Sequence, residues 1–262
     1  MRTAESILAL AIWIGSAMPS IACAQTILDH ADFMVSGGAG AYDQNGMNFQ
    51  QNADSNGSYN TGLDFSDTRG ASFSRNGFVG TGVAQNVTLF VPSNPGLLGQ
   101  FSGVKLDLWS SAETTQSSGI NLWESSYAAA SSYIYFTLGA PTAWTFDADV
   151  ASWTSPGPPG LALTRMSISI FDLSGNGADQ LIDYQEVFSG AGYSYSISDG
   201  GVLPAGSYVW ELGMETTYNA FGFEQASGAC YVEVTNACFN IPSPGTLFLL
   251  GAGSLIGKRR RR

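Results

Sequence analysis

The chain has 262 residues, 10 cations against 21 carboxylates and a formal charge of −11, with a single histidine. An acidic chain of this kind repels nucleic acid and anionic lipid. With one histidine and no HExxH it cannot build a clustered-histidine zinc site, and it has neither a GxxxxGK[ST] phosphate loop nor a dinucleotide fingerprint.

Residues 1–24 read as a signal peptide. Arg2 supplies the positive start, 7–17 the apolar core, and Ala22-Cys23-Ala24 the small-x-small cleavage pattern. A lipoprotein reading through Cys23 is the alternative. Without Arg2, Glu5 and the five terminal cations, only Arg69, Arg75, Lys105 and Arg165 remain against 20 acids, a net charge of −16. This body, residues 25–240, is rich in Gly, Ser, Thr, Asn and aromatics. Strands and turns use those residues and helices do not.

Residues 25–35 predict a strand holding His30. The Gly-, Asn-, Asp- and Ser-dense stretch 37–68 predicts loop with at most short strands. Two strands follow within 71–91, around Phe73 and at 86–91, where Val87, Leu89 and Val91 alternate. A turn-rich break covers 92–99, and 101–109 is a strand. The Ser-rich 110–132 reads as strand and loop, since no 3.6-residue stripe runs through it. Strands at 133–138 and 143–150 precede the hard loop 155–160. Strands at 163–171, 181–188 and 193–197 follow. The turn 203–208 feeds a strand with Tyr208, Trp210, Leu212 and Met214 on one face, and 221–225 and 231–234 close the body. Many short strands between turn signals predict an all-β, antiparallel, jelly-roll-like sandwich.

Three local features bear on chemistry. Cys230 and Cys238 are the only cysteines of the body, and in an oxidising compartment a lone close pair predicts a disulfide. Asp172, Ser174 and Asn176, followed by Gly177 and by Asp183 at position twelve, match the oxygen spacing of a calcium loop. A polar hairpin turn is the other reading of the same residues. No other cofactor is expected. Trp109, Trp123 and Trp153 lie near loops or weak strands, where an indole could stack on a sugar ring. No GxSxG motif offers His30 a nucleophile, so His30 reads as a strand or edge residue. Two carboxylates at the right separation could still hydrolyse a glycoside.

The last stretch, 241–262, has three parts. Pro242-Ser243-Pro244 keeps the chain extended, 246–256 is apolar and uncharged, and Lys258, Arg259, Arg260, Arg261 and Arg262 form a cationic end. The apolar run is shorter than the roughly 20 residues of a stable span and predicts a short transmembrane helix held transiently. The cations keep the end cytoplasmic. The stretch resembles the PEP-CTERM sorting signal of exported bacterial proteins, with Ser243 where that family usually carries Glu. The resemblance implies an exosortase-type membrane peptidase and the secretion machinery as partners. It also implies export to the cell surface or beyond. Residues 133–235 resemble the β-sandwich modules of the pre-peptidase C-terminal type, through Phe136-Thr137-Leu138, 168–172 and 203–208.

Together these readings predict an exported, non-enzymatic surface or extracellular-matrix protein. The alternative is an exopolysaccharide-binding sandwich, and the third reading is an acid-pair glycoside hydrolase.

Overall fold

The computed structural model describes residues 26–42, 49–60, 64–75, 78–92, 101–116, 123–155, 162–173, 179–188, 192–221 and 227–241. The expected signal peptide, the Pro242-Ser243-Pro244 motif, the short apolar span and the cations Lys258 to Arg262 lie outside them. The described residues form twelve strands: β1 (Thr26–Tyr42), β2 (Phe49–Asn60), β3 (Phe65–Arg75), β4 (Phe78–Pro92), β5 (Phe101–Gln116), β6 (Trp123–Leu138), β7 (Thr142–Thr154), β8 (Ala162–Asp172), β9 (Asp179–Phe188), β10 (Tyr193–Leu203), β11 (Gly206–Phe221) and β12 (Ser227–Asn240). They build two antiparallel sheets ordered β2-β1-β6-β11-β8-β9 and β10-β7-β12-β5-β4-β3.

The pairings are nested. β8 pairs β9, β7 pairs β10, β6 pairs β11 and β5 pairs β12. That is the jelly-roll order: one long hairpin, its tip at β8–β9, wrapped so that successive pairs fall in alternate sheets. β1 with β2 extends one sheet beside β6, and β4 with β3 extends the other beside β5.

Alternation along the strands supplies the core. Ile134, Phe136, Tyr208, Trp210, Leu212, Met166, Ile168 and Ile170 point inward from one sheet. Trp144, Phe146, Val150, Leu106, Leu108, Val232, Val234 and Phe239 meet them from the other. Trp210 stacks on Phe239 with centroids 4.7 Å apart, and Phe146 meets Trp210 edge-on at 5.7 Å. Each such pair adds about 0.5–1.5 kcal/mol beyond area burial.

The stretch expected as loop, 37–68, is instead mostly strand. β1 continues to Tyr42, and β2 and β3 fill most of the rest. Its polarity misleads because this end of the sandwich tapers. Phe33, Phe65 and Phe90 pack between the sheets at one level, with Phe33 and Phe65 stacked at 4.7 Å. A few residues along, Gly37 of β1 faces Gly82 of β4 with no room for a side chain. A Cβ on Gly82 would meet the Gly38 carbonyl oxygen at 2.6 Å and would overlap the Tyr127 carbonyl.

Where the sheets converge, short polar side chains bridge them. Asn86 Nδ2 donates to the Ser131 carbonyl at 2.7 Å and to Ser132 Oγ at 2.9 Å, and Thr88 Oγ1 donates to Asn86 Oδ1 at 2.8 Å. Thr114 and Ser126 hydroxyls meet at 2.9 Å. All five side chains are buried, and a satisfied buried network fixes the relative position of the two sheets. The Ser-rich 110–132 is strand on both sides of residues 117–122 for the same reason. At the outer margin the edge strands β2 and β3 are tied by side chains. Asn52 Nδ2 donates to the Ser72 carbonyl, Asn56 bonds Asp67, and Arg69 pairs with Asp67 and Asp54.

The expected disulfide is corrected. Cys230 and Cys238 are both free thiols on the single strand β12. Eight residues of extended chain separate their Cα atoms by about 25 Å, against at most about 7 Å for a disulfide. They also face opposite ways. A bulge after Val234, with Asn236 at φ 53°, inverts the alternation, so Cys230 points into the core and Cys238 does not. Nearness in sequence implies nearness in space only across a turn, and here no turn intervenes.

Candidate saccharide platform

Two of the three tryptophans singled out from the sequence fall on one surface, the outer face of the sheet containing β7, β12 and β5. In register, Trp153 of β7 stands opposite Tyr231 of β12, and Tyr231 opposite Ser111 of β5. On the next outward-facing rung, Ala151, Glu233, Trp109 and Gln85 lie side by side across β7, β12, β5 and β4. Trp153, Tyr231 and Trp109 therefore run diagonally over three neighbouring strands. Two inter-strand steps and two residues of rise put Trp153 and Trp109 about 12 Å apart. The side chain of Trp123 lies outside the described residues.

Two of the three rings, Tyr231 and Trp109, are held by a local hydrogen bond. Trp153 is 47% exposed, far more than any tryptophan of the core. Tyr231 donates its hydroxyl to the Glu233 carboxylate, two residues along the same strand and on the same face. That bond lays the phenol along the sheet surface instead of letting it stand into solvent. Burial, then the Glu233 bond and charge, push the Tyr231 phenol well above its usual range, so it remains a neutral donor. Trp109 donates Nε1–H to Gln85 Oε1 at 2.6 Å, which fixes the indole against β4. The strip thus offers apolar ring surface beside Glu233 and Gln85, whose remaining lone pairs and amide protons can meet hydroxyl groups.

The calcium reading gains no support from the register. Asp172 ends β8 opposite Asp179, whereas Asp183 lies in β9 opposite Ser169. Asp183 is therefore three residues back along the ladder, about 10 Å from the hairpin end. A twelve-residue loop must wrap its last acid onto the same ion as its first, and a continuing strand pair does not. Ser174 and Asn176 lie outside the described residues, and among the described residues no three His, Cys, Asp or Glu side chains cluster to hold a metal. His30 sits on the outer face of the other sheet, stacked between Tyr135 at 4.0 Å and Tyr59 at 5.0 Å, so both faces of its ring are covered.

Tyr231 is the residue that sequence reading missed. The sequence puts it in a closing strand, and only the register shows it bridging the two tryptophans. The signal available in the sequence was the Tyr231-x-Glu233 pair, which shares one face of a strand.

No family model matches the chain, and no curated protein matches it. Among solved structures it is similar to the enzymatically active domain of tailspike protein 4 of bacteriophage CBA120, at 11% identity and TM-score 0.27 over 67% of this chain, and it spans 19% of that domain's chain. It is also similar to TmCBM61, solved with β-1,4-galactotriose, at 8% identity and TM-score 0.20 over 69% of this chain and 90% of that one. A carbohydrate-binding module of the β-sandwich superfamily matches at 9% identity and TM-score 0.21 over 84% of this chain and 98% of that one. At these scores the likenesses assign no function.

Proposed function

We propose that this chain is an exported, non-enzymatic β-sandwich that binds saccharide chains through Trp153, Tyr231 and Trp109. The observation that carries the reading is the strip itself: three aromatic side chains on adjacent strands of one outer face, flanked by Glu233 and Gln85. Sugar rings present apolar C–H faces and a rim of hydroxyls. They are bound where flat aromatic surface adjoins hydrogen-bonding groups. The acidic body favours neutral over anionic polymers. A structural role for the exposed indole is disfavoured, because Trp153 contributes little to the core at 47% exposure.

The export part of the proposal rests on residues 1–24 and on the resemblance of 241–262 to the PEP-CTERM signal, with an exosortase-type peptidase as the processing partner. The non-enzymatic part rests on the lack of a catalytic motif in the sequence and on the ring-stacked setting of His30.

The test is retention on a panel of immobilised neutral and acidic polysaccharides, with Trp153→Ala as the variant. An anchor tryptophan contributes about 2 kcal/mol, so affinity for the retained polysaccharide should fall roughly 30-fold. Thermal stability should stay within a few degrees. If no polysaccharide is retained, or if the variant binds like the parent, the platform reading fails. Mass spectrometry of the mature termini in native cells tests export separately. Termini at Met1 and Arg262 in a cytoplasmic fraction would refute it.

A further inference from the structure

The diagonal of Trp153, Tyr231 and Trp109 does not end on flat sheet. One outward rung beyond Trp109, about 7 Å along β5, a cavity of about 270 Å³ opens on the same face. Its walls are Val87 and Leu89 of β4, Lys105 and Asp107 of β5, and Asn236 and Cys238 of β12. Gln85 stands opposite Trp109, Val87 opposite Asp107 and Leu89 opposite Lys105, so strip and cavity share the β4–β5 ladder. The bulge in β12 makes the space. Its pairing with β5 breaks between Val234 and Ala237 and then brings Cys238 opposite Lys105. Asn236, in the break, is the one non-glycine residue with a positive φ among the described residues. Bulges re-aim side chains and recur beside functional sites.

The polar groups of the cavity keep bonding capacity. Asp107 Oδ1 accepts the Asn236 backbone N–H at 2.9 Å, and its Oδ2 has no partner among the described residues. Asn236 Nδ2 donates to Asp149 Oδ2 at 3.0 Å, which leaves the amide oxygen as an acceptor. Lys105 is exposed and makes no ion pair among the described residues. Leu89 is 44% exposed and gives one wall an apolar surface.

We propose that this cavity is the end subsite of the saccharide strip. It takes one end of a neutral chain that lies over Trp153, Tyr231 and Trp109, with sugar hydroxyls on Lys105, Asp107 and Asn236 and a C–H face against Leu89. The inference rests on the saccharide reading of the strip for its ligand class, and on the cavity's own geometry for its place. Cationic donor, carboxylate and amide acceptors and an apolar wall together suit a sugar, whose hydroxyls both donate and accept. An apolar occupant would bury the Lys105 and Asp107 charges without partners. An anionic one would face Asp107, with Asp147 and Asp149 on the adjoining strand, against a single cation. The volume is just under the roughly 300 Å³ at which small-molecule pockets begin, so the cavity holds a chain end and the strip holds the rest. The site therefore selects for chain length: a short oligosaccharide covers only the aromatic rings, and a longer one also fills the cavity.

Cys238 reports occupancy, because it lines the cavity while Cys230 is buried. The experiment measures the rate at which N-ethylmaleimide labels Cys238 in the folded full chain, read by mass spectrometry of the peptide that holds it. The probes are the di- and hexasaccharides of the cello, xylo, manno and galacto series and hexagalacturonate, with calorimetric affinities taken in parallel. A saturating neutral hexaose should slow labelling tenfold or more, and the disaccharide of the same series should leave the rate unchanged. Lys105→Met and, independently, Leu89→Ser alter exposed side chains. Each should keep the parent's Tm and lower hexaose affinity about tenfold, toward that of the disaccharide. A hexaose that binds without slowing labelling, or pocket variants with the parent's hexaose affinity, would overturn the subsite and leave the strip standing. Trp153→Ala with the parent's affinity and protection would overturn the strip, and with it the cavity's place as its end. Absence of binding by every neutral hexaose overturns both. Hexagalacturonate that protects Cys238 as well as a neutral hexaose does overturns the assigned class.

Discussion

Gly82→Ala tests the taper of the sandwich directly. The added Cβ would meet the Gly38 carbonyl oxygen at 2.6 Å and the Gly38 nitrogen at 2.7 Å, besides overlapping the Tyr127 carbonyl. Every obstacle is backbone, held in a ladder of β1 and β6, so no side chain can swing aside. Relief requires the two sheets to part by more than about 1 Å beside the Thr114–Ser126 bridge, and overpacking of this kind costs about 1–3 kcal/mol. With backbone on all sides the upper end applies, about 3 kcal/mol, which is a fall in Tm of roughly 6–12 °C for a domain of this size. Gly57→Ala is the control. Its Cβ would meet only the Phe33 carbonyl oxygen at 3.5 Å, an ordinary contact, and restricting the unfolded chain should add about 0.4–1 kcal/mol. Urea unfolding should show a lowered midpoint with unchanged slope for Gly82→Ala and a slightly raised midpoint for Gly57→Ala. A Gly82→Ala protein within 0.5 kcal/mol of the parent (about the scatter expected of an innocuous surface change) would mean that the sheets do not touch there.

Phe239→Ala removes a fully buried ring that contacts Trp210, Trp144 and Phe136, so about 3–5 kcal/mol should be lost in chemical denaturation; a loss under about 1 kcal/mol would contradict this core. Maleimide should label Cys238 in the native protein and Cys230 only on unfolding, because burial pushes the Cys230 thiol up to about 12. A reductant should leave Tm unchanged, whereas a reductant-sensitive Tm would revive the disulfide. The Asp149 carboxyl is held below its usual range by hydrogen bonds from Ser196 and Asn236, and that of Asp67 chiefly by its bond from Asn56. A depressed folded-state pKa stabilises fully above the unfolded value of about 3.9 and is lost as pH falls through the lower folded value. Stability should therefore drop below about pH 4, and Asp149→Asn should flatten that drop; an unchanged acid profile would remove Asp149 from the account.

What could be read from the sequence was whatever alternation encodes. Met166, Ile168 and Ile170, or Tyr208, Trp210, Leu212 and Met214, declare a buried face because only apolar residues recur at every second position. The sandwich and most strands of the roll follow from such runs. The region 37–68 hid its strands because its inward positions are glycine, alanine and short polar residues. Their interior setting depends on partners such as Asn86 and Ser132, far away in the chain. The disulfide fails for a different reason: it rests on the closeness of the pair in sequence and on the expected export, although 231–234 already reads as a strand, and nothing local marks the bulge at Asn236 through which that strand continues to Cys238. Trp109 and Trp153 are legible individually as indoles near loops or weak strands that could stack on a sugar ring. Their alignment through Tyr231 needed the β7–β12–β5 register, which no single strand carries.

The two sides of the sandwich differ in how they meet other molecules. On one side β2 and β3 are laced together and carry Asp54, Asp67 and Arg69, and charge with side-chain ties discourages strand addition. On the other side β9 and β10 end the two sheets with one neighbour each, and β10 exposes Tyr193 and a row of serines at Ser194, Ser196 and Ser198. Growth into a fibre requires two receptive sides on every copy, so that each new molecule offers the next a landing edge. With a single receptive side, edge-to-edge contact between identical copies closes about a two-fold axis and stops at a pair. The lacing of β2 to β3 therefore acts as a terminator of self-assembly, and the chain is protected at high concentration from polymerising through its own sheets.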